Sequence, residues 1–231
     1  MELGKLKIAF AIALMSGANV AMADVTIGGK SEQNSVLNNA TLSNEASNDG
    51  AQATQSIASN AGAVFIAGNS KQTFTIDDAW VANGASGTNS KAIQNMSSNS
   101  GTVDINAGGK STQGTVMEVG SWAWNKAEGS GASAIQNMSA NSGTVTINGS
   151  GKSTQDTLMK PGSSALNIAG GGLSVASQSL SSNFGKVTIN GESNQLTTLD
   201  MANLVNKASG YQSIARQNVS TNTSCVATIC P

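Results

Sequence analysis

The chain has no histidine, two prolines, two cysteines and, in Arg216, a single arginine among its 231 residues. Without histidine there is no Ser-His-Asp or Cys-His nucleophile, and the commonest metal ligand is missing. Two cysteines alone cannot complete a four-ligand zinc site. Aromatic residues make up 3% of the chain and charged residues 11%, and the 39% apolar fraction leans on alanine. A conventional core draws on Leu, Ile and Phe, because burial contributes only about 25 cal/mol per Å² of apolar surface. Alanine offers little such surface. The 12 Lys and Arg are scattered and set against 13 acids, a net charge of −1, which leaves no basic face for nucleic acid. Disordered chains usually carry more charge and more proline than this. Low charge and abundant Ser, Asn, Thr, Gln and Gly suit instead a chain held by backbone ladders and stacked side chains.

Long hydrophobic runs are also missing. The run Ile8 to Met15 is eight residues, where a bilayer span needs about 20. It follows Lys5 and Lys7 and precedes Ala21-Met22-Ala23, the basic, apolar and small-x-small order of a secretory signal. Residues 1–23 therefore read as a signal peptide, with the exported, non-membrane-spanning chain starting at Asp24. The expected location is extracellular or at the cell surface, reached through the periplasm of a Gram-negative bacterium. The secretion and outer-membrane export machinery would be partners.

What the sequence has is repetition. Gln136-Asn137-Met138-Ser139-Ala140-Asn141-Ser142-Gly143-Thr144-Val145-Thr146-Ile147-Asn148 runs on to Gln155. Its upstream copy starts at Gln94 and runs through Val103-Asp104-Ile105-Asn106 to Gln113. Weaker copies span Gln55 to Gln72 and Gln178 to Gln195, with half-copies at Val25 to Gln33 and from Gln212. The glycines Gly62, Gly101, Gly143 and Gly185 recur at steps of 39, 42 and 42 residues. Five imperfect units of about 40 residues tile residues 24–220, approximately 24–63, 64–102, 103–144, 145–186 and 187–220. A cysteine-containing tail, 221–231, follows.

Within a unit the period is two. Val145 and Ile147 face opposite to Thr144 and Thr146, as do Val64 and Ile66, Val103 and Ile105, and Val187 and Ile189 in their own copies. These Val-x-Ile pairs are the predicted core strand. The four marker glycines are the predicted turns, and Asn148-Gly149 and Asn190-Gly191 supply further turns tolerant of positive φ. The stretch holding Trp80, Trp122, Trp124 and Leu166 is expected to add one or two looser strands. A weak helical pattern lies around Leu199 to Lys207. The predicted fold is all-β, a repeat β-solenoid or cross-β stack in which each unit makes one or two layers about 4.7–4.8 Å apart. Stacking puts Gln55, Gln94, Gln136 and Gln178 in one predicted amide ladder and Asn60, Asn99, Asn141 and Asn183 in another. Each amide both donates and accepts, so a stack of identical amides satisfies itself.

The pattern of Asn-rich segment, Ser-Gly, Val-x-Ile, Asn, Gly-containing turn and Gln at 94–113 and 136–155 resembles the repeats of Fap-type functional amyloid subunits. Curli-like repeats share the amide logic more distantly, with a unit about half as long. The resemblance covers four repeat cores and the tail, where Cys225 and Cys230 stand in the place of that family's closely spaced pair. Four residues separate the cysteines here, where the family typically has two, and long variable linkers are lacking. These departures leave open a different secretion route, or a minor or nucleating subunit with another fibre subunit as partner. The resemblance implies a secreted protein that polymerises with itself into extracellular fibres of the biofilm matrix or for surface attachment.

Other motifs read plainly. Gly151-Lys152-Ser153-Thr154 has the end of a phosphate-binding loop, but Thr146 stands where that motif needs glycine. Its recurrence at Gly109-Lys110-Ser111-Thr112 marks it as a solenoid turn. Asp77-Asp78, Asp156 and Asp200 read as solvated turn acids, with weak Ca²⁺ binding as the lesser alternative. Cys225 and Cys230 are expected to form a disulfide in an oxidising compartment, pairing between chains being the alternative. Trp122 and Trp124, two apart, share a strand face as packing anchors or a sugar-binding platform. The sequence implies no cofactor, and a lone arginine argues against a lyase-type cleft. The expected function is a fibre subunit rather than an enzyme, with a monomeric cell-surface β-solenoid adhesin or binding module as the alternative.

Overall fold

A computed structural model describes residues 24–224. The expected signal segment and the two cysteines lie outside the described residues. The chain is all-β, with 21 strands and no helix among the described residues. The strands form four parallel sheets: β1 (Val25–Ile27), β5 (Asn60–Ile66), β9 (Asn99–Ile105), β13 (Asn141–Ile147), β17 (Asn183–Ile189) and β21 (Asn222–Ser224) make the first. The second holds β2 (Lys30–Asn38), β6 (Asn69–Asp77), β10 (Lys110–Met117), β14 (Lys152–Met159) and β18 (Glu192–Leu199). The third holds β3 (Thr41–Ser47), β7 (Trp80–Ser86), β11 (Trp122–Glu128), β15 (Ser164–Gly170) and β19 (Asn203–Ser209). The fourth holds β4 (Gln52–Ile57), β8 (Lys91–Met96), β12 (Ser133–Met138), β16 (Val175–Leu180) and β20 (Ile214–Val219).

Successive strands visit the four sheets in turn, so one sequence unit is one rung of a β-solenoid, a single layer of four strands. Each rung pairs in register with the next: Val64 with Val103, Val103 with Val145, and Val145 with Val187. The sequence periods of 39 and 42 residues are the lengths of successive turns of this coil. The three extra residues of the longer turns lie at corners, as in the four-residue β9–β10 and β13–β14 connections against two for β1–β2 and β17–β18.

The weak helical pattern at 199–207 is not realised. Leu199 ends β18 and Asn203–Ser209 is β19, paired along its length with β15. The ladder offered by the preceding rung pairs one whole edge of this segment, which outweighs a marginal local preference. Asp156 is likewise no turn residue: it lies on the outer face of β14, whereas Asp78 is in a corner at φ 44°.

Between the fourth sheet and the first the chain turns in two residues. Ala58, Ser97, Ser139, Ser181 and Ser220 each take φ of 44–51° there. At the following position, Ser59, Ser98 and Ser182 hydroxyls donate back to the carbonyls of Ile57, Met96 and Leu180. That local bond offsets part of the left-handed strain.

The core is layered by column. Val64, Ile66, Val103, Ile105, Val145 and Ile147 are buried as one cluster under the first sheet. Phe74, Ile76, Met117, Met159, Met96 and Met138 form a second. The third and fourth sheets meet over alanines, among them Ala53, Ala85, Ala127, Ala134 and Ala169. Alanine buries little area but lets two backbones approach closely, which the polar interior uses.

Candidate functional site

Every sheet contributes one column of amides to the interior. In the fourth, Gln94 Nε2 donates to Gln55 Oε1 at 2.9 Å, Gln136 to Gln94 at 2.7 Å, Gln178 to Gln136 at 2.6 Å and Gln217 to Gln178 at 2.8 Å. In the first, Asn60 Nδ2 donates to Asn99 Oδ1 at 3.0 Å, Asn99 to Asn141 at 2.9 Å, Asn141 to Asn183 at 2.8 Å and Asn183 to Asn222 at 2.7 Å. All eight amides expected from the sequence are brought together as two ladders, each extended by one member, Gln217 and Asn222. The ladders run in opposite senses: glutamines donate toward the first rung and asparagines toward the last.

Sequence reasoning missed two further columns. Asn44, Asn83, Asn125, Asn167 and Asn206 form a third ladder, each Nδ2 donating to the next Oδ1 at 2.8 Å. Their spacing repeats the 39- and 42-residue period, which was the available signal. Gln33, Gln72, Gln113, Gln155 and Gln195, noted only as unit boundaries, do not ladder with one another. Each donates to the Asn Oδ1 of the following rung, as Gln72 does to Asn99 at 2.9 Å and Gln113 to Asn141 at 2.7 Å. Their direction leaves Oε1 of Gln33, Gln72, Gln113 and Gln155 without a protein partner.

The columns also fasten sheet to sheet. Asn125 Nδ2 reaches the carbonyls of Ala92 and Ile135 in the fourth sheet, while Gln136 Nε2 reaches that of Ala123 in the third. A buried amide without partners costs about 1–3 kcal/mol. Here identical residues one rung apart supply the partners.

Gly62, Gly101, Gly143 and Gly185 are not the corners the sequence suggested; they lie inside the first-sheet strands. Each takes φ between 106° and 116°, and a Cβ on Gly101, Gly143 or Gly185 would meet the preceding glycine's carbonyl oxygen at 2.0–2.2 Å. Only glycine permits that approach, which puts a bend within the strand.

On the outer face of the third sheet, Trp80 and Trp122 stack with ring centroids 5.4 Å apart, and Lys126 Nζ lies 5.4 Å from the centre of Trp124. Trp122 and Trp124 do share this face, but the stacked partner of Trp122 is one rung away. A shallow groove beside them is lined by Glu45, Gly84, Trp124, Lys126 and Glu128. Elsewhere exposed charges pair along columns: Lys71 with Glu32 at 3.3 Å, Lys152 with Glu192 at 2.7 Å and Lys160 with Glu118 at 2.6 Å. Hydrogen bonds from Lys30 and Lys71 hold the Glu32 carboxyl below the ordinary glutamate range, and one from Lys152 does the same to Glu192. Among the described residues, no three metal-ligating side chains converge and no helix is long and apolar enough to cross a membrane.

The two ends of the coil differ from its middle. Inward residues of β10 and β14 are buried, whereas those of β2 and β18 remain half exposed. Both terminal rungs show strand edges and open ladder ends that no other described element covers.

No family model, no curated protein and no solved structure matches this chain.

Proposed function

We propose that the chain is a secreted structural protein that self-associates end to end into extracellular fibres, as a matrix or attachment component and without enzymatic activity. Unprotected strand edges template further pairing, and proteins that stay monomeric blunt them with charge, proline or a covering element.

One observation carries the reading: the first and last rungs match. Leu37 and Leu199, and Gln55 and Gln217 occupy the ends of two register columns. Leu42 and Leu204 close a third whose central members are Val81, Ala123 and Ala165. There the ends resemble each other more than they resemble the middle. Corner lengths agree too, with two residues between first and second strands in both terminal rungs. A partner's first rung beneath the last would set Glu192 over the partner's Lys30 and Lys207 over the partner's Glu45. At the same joint the partner's Gln55 meets the free oxygen of Gln217, and Asn206 the partner's Asn44. Export through the periplasm and the likeness to Fap-type subunits fit the same reading.

The test is seeded growth. Residues 24–231 released from denaturant should polymerise with a lag that preformed fibres abolish, followed by thioflavin T. A stable monomer indifferent to seeds would remove the reading. The stacked Trp80–Trp122 pair favours the second reading, a monomeric adhesin whose aromatic face binds sugar. That reading requires saccharide binding by the monomer, lost in Trp122→Ala.

A further inference from the structure

The outer face of the third sheet is indented at its second rung. Along β7 the outward positions after Trp80 are Ala82, Gly84 and Ser86. In the following rung the paired positions of β11 hold Trp124, Lys126 and Glu128, and in the preceding rung Glu45 stands opposite Gly84. Gly84 is the one member of its column without a side chain, the others being Glu45, Lys126, Ile168 and Lys207. Short residues between longer ones leave a trough that runs along the strand. It encloses about 510 Å³, within the about 300–1,000 Å³ of small-molecule sites.

The backbone does not require glycine at position 84. Pairing on both sides of β7 is continuous, so there is no bulge. Its φ is not left-handed, and an added Cβ would meet only Glu45 Cγ at 3.7 Å. A strand glycine that serves neither a bulge nor a bend also suits close approach by a ligand.

We propose that the trough binds an uncharged oligosaccharide, a chain of pyranose rings laid along β7. The inference deepens the saccharide-binding reading, on which it rests, and is independent of end-to-end assembly. It also moves the site. Trp80 and Trp122 stack on each other, so the ring faces between them are already covered, whereas Trp124 lines the trough.

A pyranose carries C–H groups on its ring faces and hydroxyls around its rim. It suits a lining that is aromatic in one part and hydrogen-bonding in the rest. Trp124 supplies the aromatic part. The Glu45 and Glu128 carboxylates accept from hydroxyls, and Lys126 and Ser86 donate. Charge selects among saccharides. Lys126 is paired with Glu128, which leaves the Glu45 carboxylate as surplus negative charge, so an acidic sugar is repelled. The floor from Ala82 to Ser86 is about 13 Å long, enough for a short chain rather than one ring.

Equilibrium dialysis against residues 24–231 tests this, because it reads bound sugar whether the protein is monomeric or polymerised. The probes are labelled neutral hexaoses (β-glucan, α-glucan, mannan and xylan) and hexagalacturonate. At least one neutral chain should bind, and the acidic one at least about tenfold more weakly. Gly84→Val fills the trough with a residue that strands favour and should abolish binding without lowering the melting temperature. Should that variant melt early, Ala82→Leu fills the same trough from a position that already carries a Cβ. Trp124→Ala should weaken binding by about tenfold or more.

Binding that survives both fillings but is lost in Trp122→Ala puts the sugar on the stacked pair. That result overturns the trough and keeps the saccharide reading. Equal binding of hexagalacturonate overturns the selection for an uncharged chain, and no binding across the neutral panel overturns trough and saccharide reading together. Seeded growth, which decides the fibre reading, is untouched by any of these results.

Discussion

Gln136 donates to Gln94 one rung earlier at 2.7 Å and accepts from Gln178 one rung later at 2.6 Å. All three side chains are fully buried. The relationship explains how a chain poor in large apolar residues holds its layers: the repeat supplies each polar group with its own partner. Replacing Gln136 by leucine strands the Gln94 oxygen and the Gln178 amide together, a loss of roughly 2–5 kcal/mol. Gln217→Leu, on the exposed last rung, should cost less than about 1 kcal/mol. Denaturant unfolding of the two variants checks the ratio, and equal losses would argue against the ladder as a main support.

The glycine bend makes a sharper contrast. Gly143→Ala adds a Cβ 2.1 Å from the Gly101 oxygen at a φ of 111°, and should destabilise by roughly 3 kcal/mol or more. Gly114→Ala meets only the Thr73 methyl at 3.6 Å. It should be neutral or stabilising by up to about 1 kcal/mol, because a strand-interior glycine loses more entropy on folding than alanine. Thermal melts of the two single variants distinguish the sites.

At the proposed end-to-end joint, charge is directional. Lys207→Glu sets a carboxylate against the partner's Glu45 and should slow seeded elongation, because like charges opposed across strands repel. Adding Glu45→Lys to the same chain restores the attraction and should restore the rate. Elongation constants at low and high salt check both; a double variant as slow as the single one would contradict this register.

The Glu32 carboxylate should keep its charge to lower pH than an ordinary glutamate. The Glu32 pKa is lowered in the folded chain by Lys30 and Lys71, so its contribution is present above the unfolded-state value and lost as pH falls through the lower folded one. Glu32 is exposed, so the effect should be small and screened by salt. Carboxyl titration by NMR should give a Glu32 midpoint below that of an ordinary glutamate, moved upward by Lys71→Ala.

Much of this architecture was legible because columns are spelled out in sequence. Val103 and Ile105 recur at Val145 and Ile147 with their flanking glycines, so strand, burial and register followed from one period. The Asn83, Asn125 and Asn167 ladder was hidden because its neighbours face solvent and vary: Ala82, Trp124 and Leu166 occupy one outward column. The number of strands per layer was hidden too. Corners such as Ser97-Ser98 and Ser181-Ser182 turn on a left-handed serine followed by a serine whose hydroxyl bonds back, not on the glycine or proline that marks a turn in sequence. Gly143 misled for the converse reason, since it relieves contact within a strand. Ladder polarity depends on side-chain rotamers set by the opposing sheet, which no periodicity encodes.

The most direct measurement is the axial structure of seed-grown fibres of residues 24–231, by fibre diffraction with mass per unit length. Continuous in-register stacking of five rungs per subunit predicts an axial reflection near 4.8 Å and one subunit for about every 24 Å. Fibres with markedly less mass per length, or without the 4.8 Å axial spacing, would contradict the end-to-end solenoid.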